Sequence, residues 1–203
     1  MPCAVDARVI VKPAETTSPH HLVISPYPEQ YEYHEVLTNG CRIFIRPIKP
    51  EDAPLLVDLF NALSSMSRYH RFFSPMKALP QHMLVRFTQI DYDREMALVA
   101  LDERQHAERM LGVARVIGKP DGREGEFAVV VGDAWQGKGV GAELLKRCLH
   151  VVQERGMQKV WGTALRENVQ MVKLARKLGF QVSFSADANV YEMTIDLSER
   201  RIQ

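Results

Sequence analysis

Val129-Val130-Val131-Gly132-Asp133-Ala134-Trp135-Gln136-Gly137-Lys138-Gly139-Val140-Gly141-Ala142 joins an apolar strand to a glycine-rich turn that opens an amphipathic helix. Such a junction binds anions. Glycine lets backbone N–H groups approach a ligand closely, and the first helical turn leaves unpaired N–H groups and a partial positive charge. Three phosphate-binding patterns compete for it. The nucleotide-triphosphatase loop, G-x-x-x-x-G-K-S/T, fits from Gly132 to Lys138 but finds Gly139 where a hydroxyl must hold magnesium. The dinucleotide fingerprint, G-x-G-x-x-G/A, is met by Gly137, Gly139 and Ala142. The acid it requires further on is absent from Lys159-Val160-Trp161-Gly162-Thr163-Ala164. The third pattern, Q/R-x-x-G-x-G/A, is complete in Gln136-Gly137-Lys138-Gly139-Val140-Gly141.

Outward from the loop, a chain of 203 residues with 46% hydrophobic content has material for one full core. A net charge of +1 gives no overall pull towards nucleic acid or an anionic membrane, so partners must be recognised locally. Cys3, Cys41 and Cys148 are odd in number and lack C-x-x-C spacing, which suggests neither a disulfide framework nor a zinc site and suits a reducing cytoplasm. No apolar signal core opens the chain, and no run approaches the roughly 20 apolar residues that span a bilayer.

Residues 1–33 carry Pro2, Pro13, Pro19, Pro26 and Pro28 among mixed polar residues and read as an extended tail or linker, with 7–11 a short strand-like exception. The compact domain is expected over 34–203. Residues 42–46 alternate like a strand, and helices are predicted over 50–63 and 80–89. Segments 96–101, 110–116 and 126–131 read as neighbouring strands joined by polar turns. The helix after the glycine loop places Val140, Leu144, Cys148, Val151 and Val152 on one side and stops at Gly156. Residues 160–165 are strand-like, Asn168 opens a helix, and two strand-like segments lie within 181–197. The order β-α-α-β-β-β-α-β-α-β-β predicts a mixed α/β fold.

The loop pattern from Gln136 to Gly141 resembles the pyrophosphate-binding motif of the GNAT superfamily of N-acetyltransferases, and Asn168 with Lys177-Leu178-Gly179-Phe180 resembles its second coenzyme-contacting segment. The resemblance covers 37–197. It implies a mostly antiparallel sheet with helices on both faces, in which the strand at 126–131 splays from the next one. The pantetheine arm of acetyl-coenzyme A would lie in that gap, with a backbone N–H near Val131 meeting the thioester carbonyl. The coenzyme-binding residues so implied are Val129, Val130, Val131, Gln136, Gly137, Lys138, Gly139, Val140, Gly141, Ala142, Asn168 and Lys173, without a metal. Within the superfamily, Ile45-Arg46-Pro47-Ile48-Lys49-Pro50-Glu51-Asp52, Ser67-Arg68-Tyr69-His70-Arg71-Phe72-Phe73 and Gln89-Ile90-Asp91-Tyr92-Asp93-Arg94-Glu95-Met96-Ala97 are similar to the Pat-type bacterial protein lysine acetyltransferases. The acceptor this implies is an exposed lysine of a protein, an acyl-CoA synthetase among the candidates. In many such proteins the domain follows a large acyl-CoA-synthetase-like region, so the chain reads either as part of a larger multidomain protein or as a stand-alone relative that keeps the tail.

Acetyl transfer to lysine demands a base, because an amine of pKa near 10.4 is mostly protonated at neutral pH. The resemblance implies a glutamate at Glu126, on the strand that leads into the loop, and shielding by Phe127 would raise its basicity. The tyrosine with which many GNAT enzymes protonate the departing thiolate is replaced by Ala175. A thiol pKa near 8.5 lets the thiolate leave without a strong acid. Cys148 reads as a core thiol, His20-His21 as a solvated pair, and His70 as either a substrate contact or packing beneath the loop. Asp91, Asp93 and Glu95 read as turn caps or partners of Arg94. Transfer to a small amine, and a silent acyl-CoA-sensing module, are the competing functions.

Overall fold

The computed structural model describes residues 26–103 and 108–198, so Cys3, the His20-His21 pair and the expected strand at 7–11 lie outside the described residues. Among the described residues one sheet is built from β1 (Tyr33–Val36), β2 (Arg42–Pro47), β3 (Glu95–Asp102), β4 (Met110–Gly118), β5 (Glu124–Val131), β6 (Lys159–Leu165), β7 (Gln181–Ser185) and β8 (Val190–Asp196). Their order across the sheet is β1-β2-β3-β4-β5-β6-β8-β7. All neighbours run antiparallel except β5 and β6, which are parallel. The helices are α1 (Ala53–Ala62), α2 (Ser65–Phe72), α3 (Gln81–Thr88), α4 (Val140–Glu154) and α5 (Val169–Lys177).

The sheet is covered on both faces, and β3 shows why. Its apolar run is buried along the whole strand, and alternation sends successive side chains to different layers. Met96, Leu98 and Ala100 join Leu144, Leu145 and Leu149 of α4, while Ala97, Val99 and Leu101 join Leu56 and Leu59 of α1 and Leu84 of α3. Each fully buried leucine contributes about 1.5–3 kcal/mol. Helix α4 ends where Gly156 takes a left-handed φ of 85°.

Two elements depart from the sequence expectation. Helix α2 has no buried residue: its apolar stripe, Met66 and Tyr69 running on to Phe73, is exposed. It is started by the Ser64 side chain, which accepts from Ser67 N at 3.1 Å. Strand β1 is a four-residue edge whose side chains alternate between half-buried and exposed. Tyr27 packs edge-on against Tyr92 at 6.0 Å between centroids, so contacts with the domain begin upstream of residue 34.

Glu95 does not group with Asp91 and Asp93. It is buried between Arg115, at 2.6 Å, and Arg86, at 2.5 Å, while Asp91 accepts from Asp93 N at 3.1 Å. What positions the site is the short β5–β6 pairing. Only Glu124 with Lys159, Gly125 with Val160 and Glu126 with Trp161 are in register, and beyond them the two strands part.

Candidate active site

Beside the parting strands lies a cleft of about 580 Å³ that reaches from β5 to α2 and α5. Strand alternation decides what β5 shows to it. Gly132 N donates to Leu111 O at 2.9 Å, so its amide faces β4. Val131 and Val129, one and three residues back, turn theirs to the opposite edge, which β6 has left. The side chains of Val129, Val131, Met171 and Leu174 form apolar walls.

At the end of the cleft the chain turns through Gly137 (φ 72°) and Gly139 (φ 94°), both left-handed, before α4 begins. A Cβ built at Gly137 would meet nothing within 4 Å, and Gly139, the N-cap, brings no side-chain cap. The first amides of α4 therefore face the cleft uncapped, at the positive end of the helix dipole. Lys173 and Lys177 of α5 line the same cleft. An apolar trench that ends in free amides and flanking cations fits a pantetheine arm joined to a pyrophosphate.

Of the residues assigned to the coenzyme, Val129, Val130, Val131, Gln136, Gly137 and Gly139 line the cleft, as do Gly141, Ala142, Asn168 and Lys173. Lys138 and Val140 are the exceptions. Lys138 Nζ lies 5.0 Å from the Trp135 ring, and the Val140 side chain is fully buried, because the first residue of α4 faces the core. Only their backbone amides can serve the cleft. Asn168 caps α5, its Oδ1 accepting from Met171 N at 3.1 Å. The Gln136 side chain is committed to protein, with Nε2 donating to Asp133 Oδ1 at 2.9 Å, Val131 O at 3.1 Å and Ser67 Oγ at 3.2 Å.

Glu126 belongs to the last register pair, beside the point where the strands separate, and outside the cleft lining. The shielding expected from Phe127 is absent. Consecutive strand residues face opposite sides, so Glu126 is exposed while the buried Phe127 ring packs 4.9 Å from that of Phe180. What reaches Glu126 is charge. Arg71, half-buried on the α2 wall of the cleft, is pushed down to about 10 by burial and by the like charge of Arg115, and the carboxylates of Glu126 and Glu95 oppose that shift. The guanidinium stays protonated at neutral pH.

His70 also lines this wall, and its Nε2 is buried with no hydrogen-bond partner among the described residues. Ala175 is buried in the core, so its position offers no acid. Burial pushes the Cys148 thiol up to about 12, and Sγ contacts Ala114 O at 3.4 Å, which makes it a core residue. A smaller cavity of about 320 Å³ lies between α1 and the Gly132–Trp135 turn, with the side chains of Asp58 and Glu108 on its wall and no glycine-loop amides. Among the described residues no group of three or more His, Cys, Asp or Glu is placed to hold a metal, and no helix is long and apolar enough to cross a membrane.

A parallel strand pair that opens beside an apolar trench, closed by a glycine-capped helix, defines a mixed α/β fold with an anion-binding cleft. Residues 42–181 match the family described as Acetyltransferase (GNAT) domain, and the chain belongs to that family. An acetyltransferase of Pseudomonas aeruginosa is 30% identical over 146 residues, covering 72% of this chain and 78% of that protein. The acetyltransferase Pat of Mycolicibacterium smegmatis is 27% identical over 165 residues, covering 77% of this chain, which spans only 44% of that relative's length. Among solved structures, the GNAT domain of PAT from S. lividans aligns with a TM-score of 0.77 at 29% identity, covering 84% of this chain and 99% of that one. The protein is a GNAT acetyltransferase, in the mixed fold that the sequence predicts.

Proposed function

We propose that the protein transfers the acetyl group of acetyl-CoA to the side-chain amine of a lysine on another protein, with an acyl-CoA synthetase as the candidate acceptor, in the cytoplasm. The observation that carries this is the meeting, at the parting of β5 and β6, of a carboxylate and an unpaired strand edge: Glu126 in the last pair, and Val129 and Val131 with amides turned to the gap. Likeness to the two Pat proteins supports a protein acceptor.

In this reading Glu126 removes a proton from the incoming ammonium, directly or through water, and the freed amine attacks the thioester carbonyl. The Val131 N–H is the donor placed to stabilise the oxygen that becomes negative. The uncapped amides of Gly139, Val140 and Gly141, with Lys173, hold the pyrophosphate. The thiolate leaves without a side-chain acid from position 175, since its pKa near 8.5 makes it a good leaving group. The experiment is Glu126→Ala: coenzyme affinity stays near that of the native chain while turnover falls. Equal loss of both would give Glu126 a structural role. Labelled acetyl appearing on polyamines but on no protein would assign a small-amine acceptor instead.

A further inference from the structure

Helix α2 and the glycine loop reach the cleft from different layers of the molecule, and one carboxylate joins them. Asp133, in the turn between β5 and the loop, accepts at Oδ2 from Ser64 N at 2.6 Å. At Oδ1 it accepts from the Ser67 hydroxyl and from Gln136 Nε2, the latter at 2.9 Å. Ser64 is the N-cap of α2 and Ser67 belongs to its first turn, so the anion also sits at the positive end of that helix. Burial acts to raise the Asp133 carboxyl, and the hydrogen bonds from Ser67, Ser64 and Gln136 outweigh it, leaving it below the usual carboxylate range. Gln136 completes the junction by bonding Val131 O at the end of β5.

This junction matters because α2 buries little: besides it, the first turn is held by Arg68, which donates to Asn61 O at 3.0 Å and to Lys77 O at 3.3 Å. None of its residues is buried, and its main apolar anchor, Phe72, packs against Phe60 and Phe87 from the opposite end. Yet α2 carries His70 and Arg71, which form the cleft wall opposite α5 and bring a cation near Glu126.

We propose that Asp133 is a positioning residue that couples the donor loop to the acceptor-side wall: with coenzyme on the glycine loop, its bonds to Ser64, Ser67 and Gln136 hold α2 in register with Glu126. The proposal rests on the reading of the cleft as the donor site. It makes donor binding stiffen the wall against which the acceptor lysine must be presented.

The test is amide hydrogen exchange across α2, with and without coenzyme A, on the full chain and on Asp133→Ala and Ser67→Ala, with calorimetric coenzyme affinity measured on the same samples. In the native chain coenzyme A slows exchange in the second half of α2 by roughly tenfold. Asp133 and Ser67 line the cleft with groups already bonded to one another, so both variants keep coenzyme affinity to within about threefold, and both lose the slowing. Asp133→Asn, whose single oxygen can accept from Ser64 N while its amide donates to the Ser67 hydroxyl and meets the Gln136 amide donor to donor, is intermediate. Affinity lost in step with the slowing would make Asp133 a part of the loop's own fold and overturn the coupling. Slowing retained in both alanine variants overturns it as well. A native chain that takes up no coenzyme A refutes the donor-site reading first, and the coupling with it, which separates the two failures.

Discussion

Gly162 of β6 and Phe127 of β5 share one space: a Cβ on Gly162 would lie 2.6 Å from Cε1 of the Phe127 ring. The ring fills the position that a β6 side chain would take, one residue past the last β5–β6 pair. The separation of the strands is thus packed from the core side by an aromatic wedge. Gly162→Ala forces the ring or the strand to move and is expected to cost about 1–3 kcal/mol. A lower Tm in thermal unfolding checks this, and an unchanged Tm would show that the ring can move freely.

Glu126→Gln keeps the shape of the side chain and removes the base. Turnover should fall about 10²–10⁴-fold, the usual contribution of a positioned base. The acetyl-CoA Kd should hardly change, because Glu126 is outside the cleft lining. Steady-state kinetics beside calorimetry separates the two terms.

Gly139→Ala places a Cβ at a φ of 94°, where an L-residue pays roughly 1–2 kcal/mol, at the N-cap of the anion-binding helix. Gly122→Ala imposes comparable strain at a φ of 70° in the β4–β5 turn, away from the cleft. Both should lower stability, but only Gly139→Ala should weaken coenzyme binding, by about tenfold or more. Equal affinities in the two variants would detach the loop from the coenzyme.

The Glu95–Arg115 pair is buried beneath α3, with Arg115 Nη2 also donating to Phe87 O at 3.1 Å. Arg115→Ala leaves the Glu95 carboxylate with Arg86 as its remaining partner and should cost about 2–3 kcal/mol, below the full loss of a buried pair. Replacing both residues by apolar side chains of similar volume should recover much of that. Urea denaturation of the single and double variants measures the difference.

Cys148 gives a pH signature. Burial raises its thiol to about 12 in the folded chain, so the native state keeps a proton that the unfolded chain releases near pH 8.5. Fewer protons bound in the unfolded state means that stability falls as pH rises, by up to about 1.4 kcal/mol per unit above that point. The contribution is complete at lower pH and is lost between about 8.5 and 12. Cys148→Ala should flatten this slope in denaturation series at pH 8, 9 and 10.

Much of the fold and part of the site are legible in the sequence, and the reasons differ by residue. Helix α4 and strands β3 to β5 are declared by apolar periodicity because they face the core. Gly137 and Gly139 are declared by backbone chemistry that few residues besides glycine allow. Helix α2 escapes because it buries no residue, and β1 because a short edge strand carries little pattern. The Phe127 shield over Glu126 is excluded by strand alternation alone, which the sequence already contains. Asp133 is different in kind: its role depends on Ser64 and Ser67, more than 60 residues away in the chain, and only the fold brings them together. The Ser64-x-x-Ser67 cap and the helical spacing of Met66, Tyr69 and Phe73 are the local signals that could have pointed to α2.

We propose that the cleft delivers acetyl to a protein lysine with Glu126 as base. It is tested most directly by incubating the chain with isotope-labelled acetyl-CoA and a purified acyl-CoA synthetase, then mapping acetyl-lysine by mass spectrometry. With the native chain, label is expected on one or a few synthetase lysines, and nearly none with Glu126→Gln at equal coenzyme occupancy. Labelling that is undiminished in the variant, or label that enters only small amines, would contradict it.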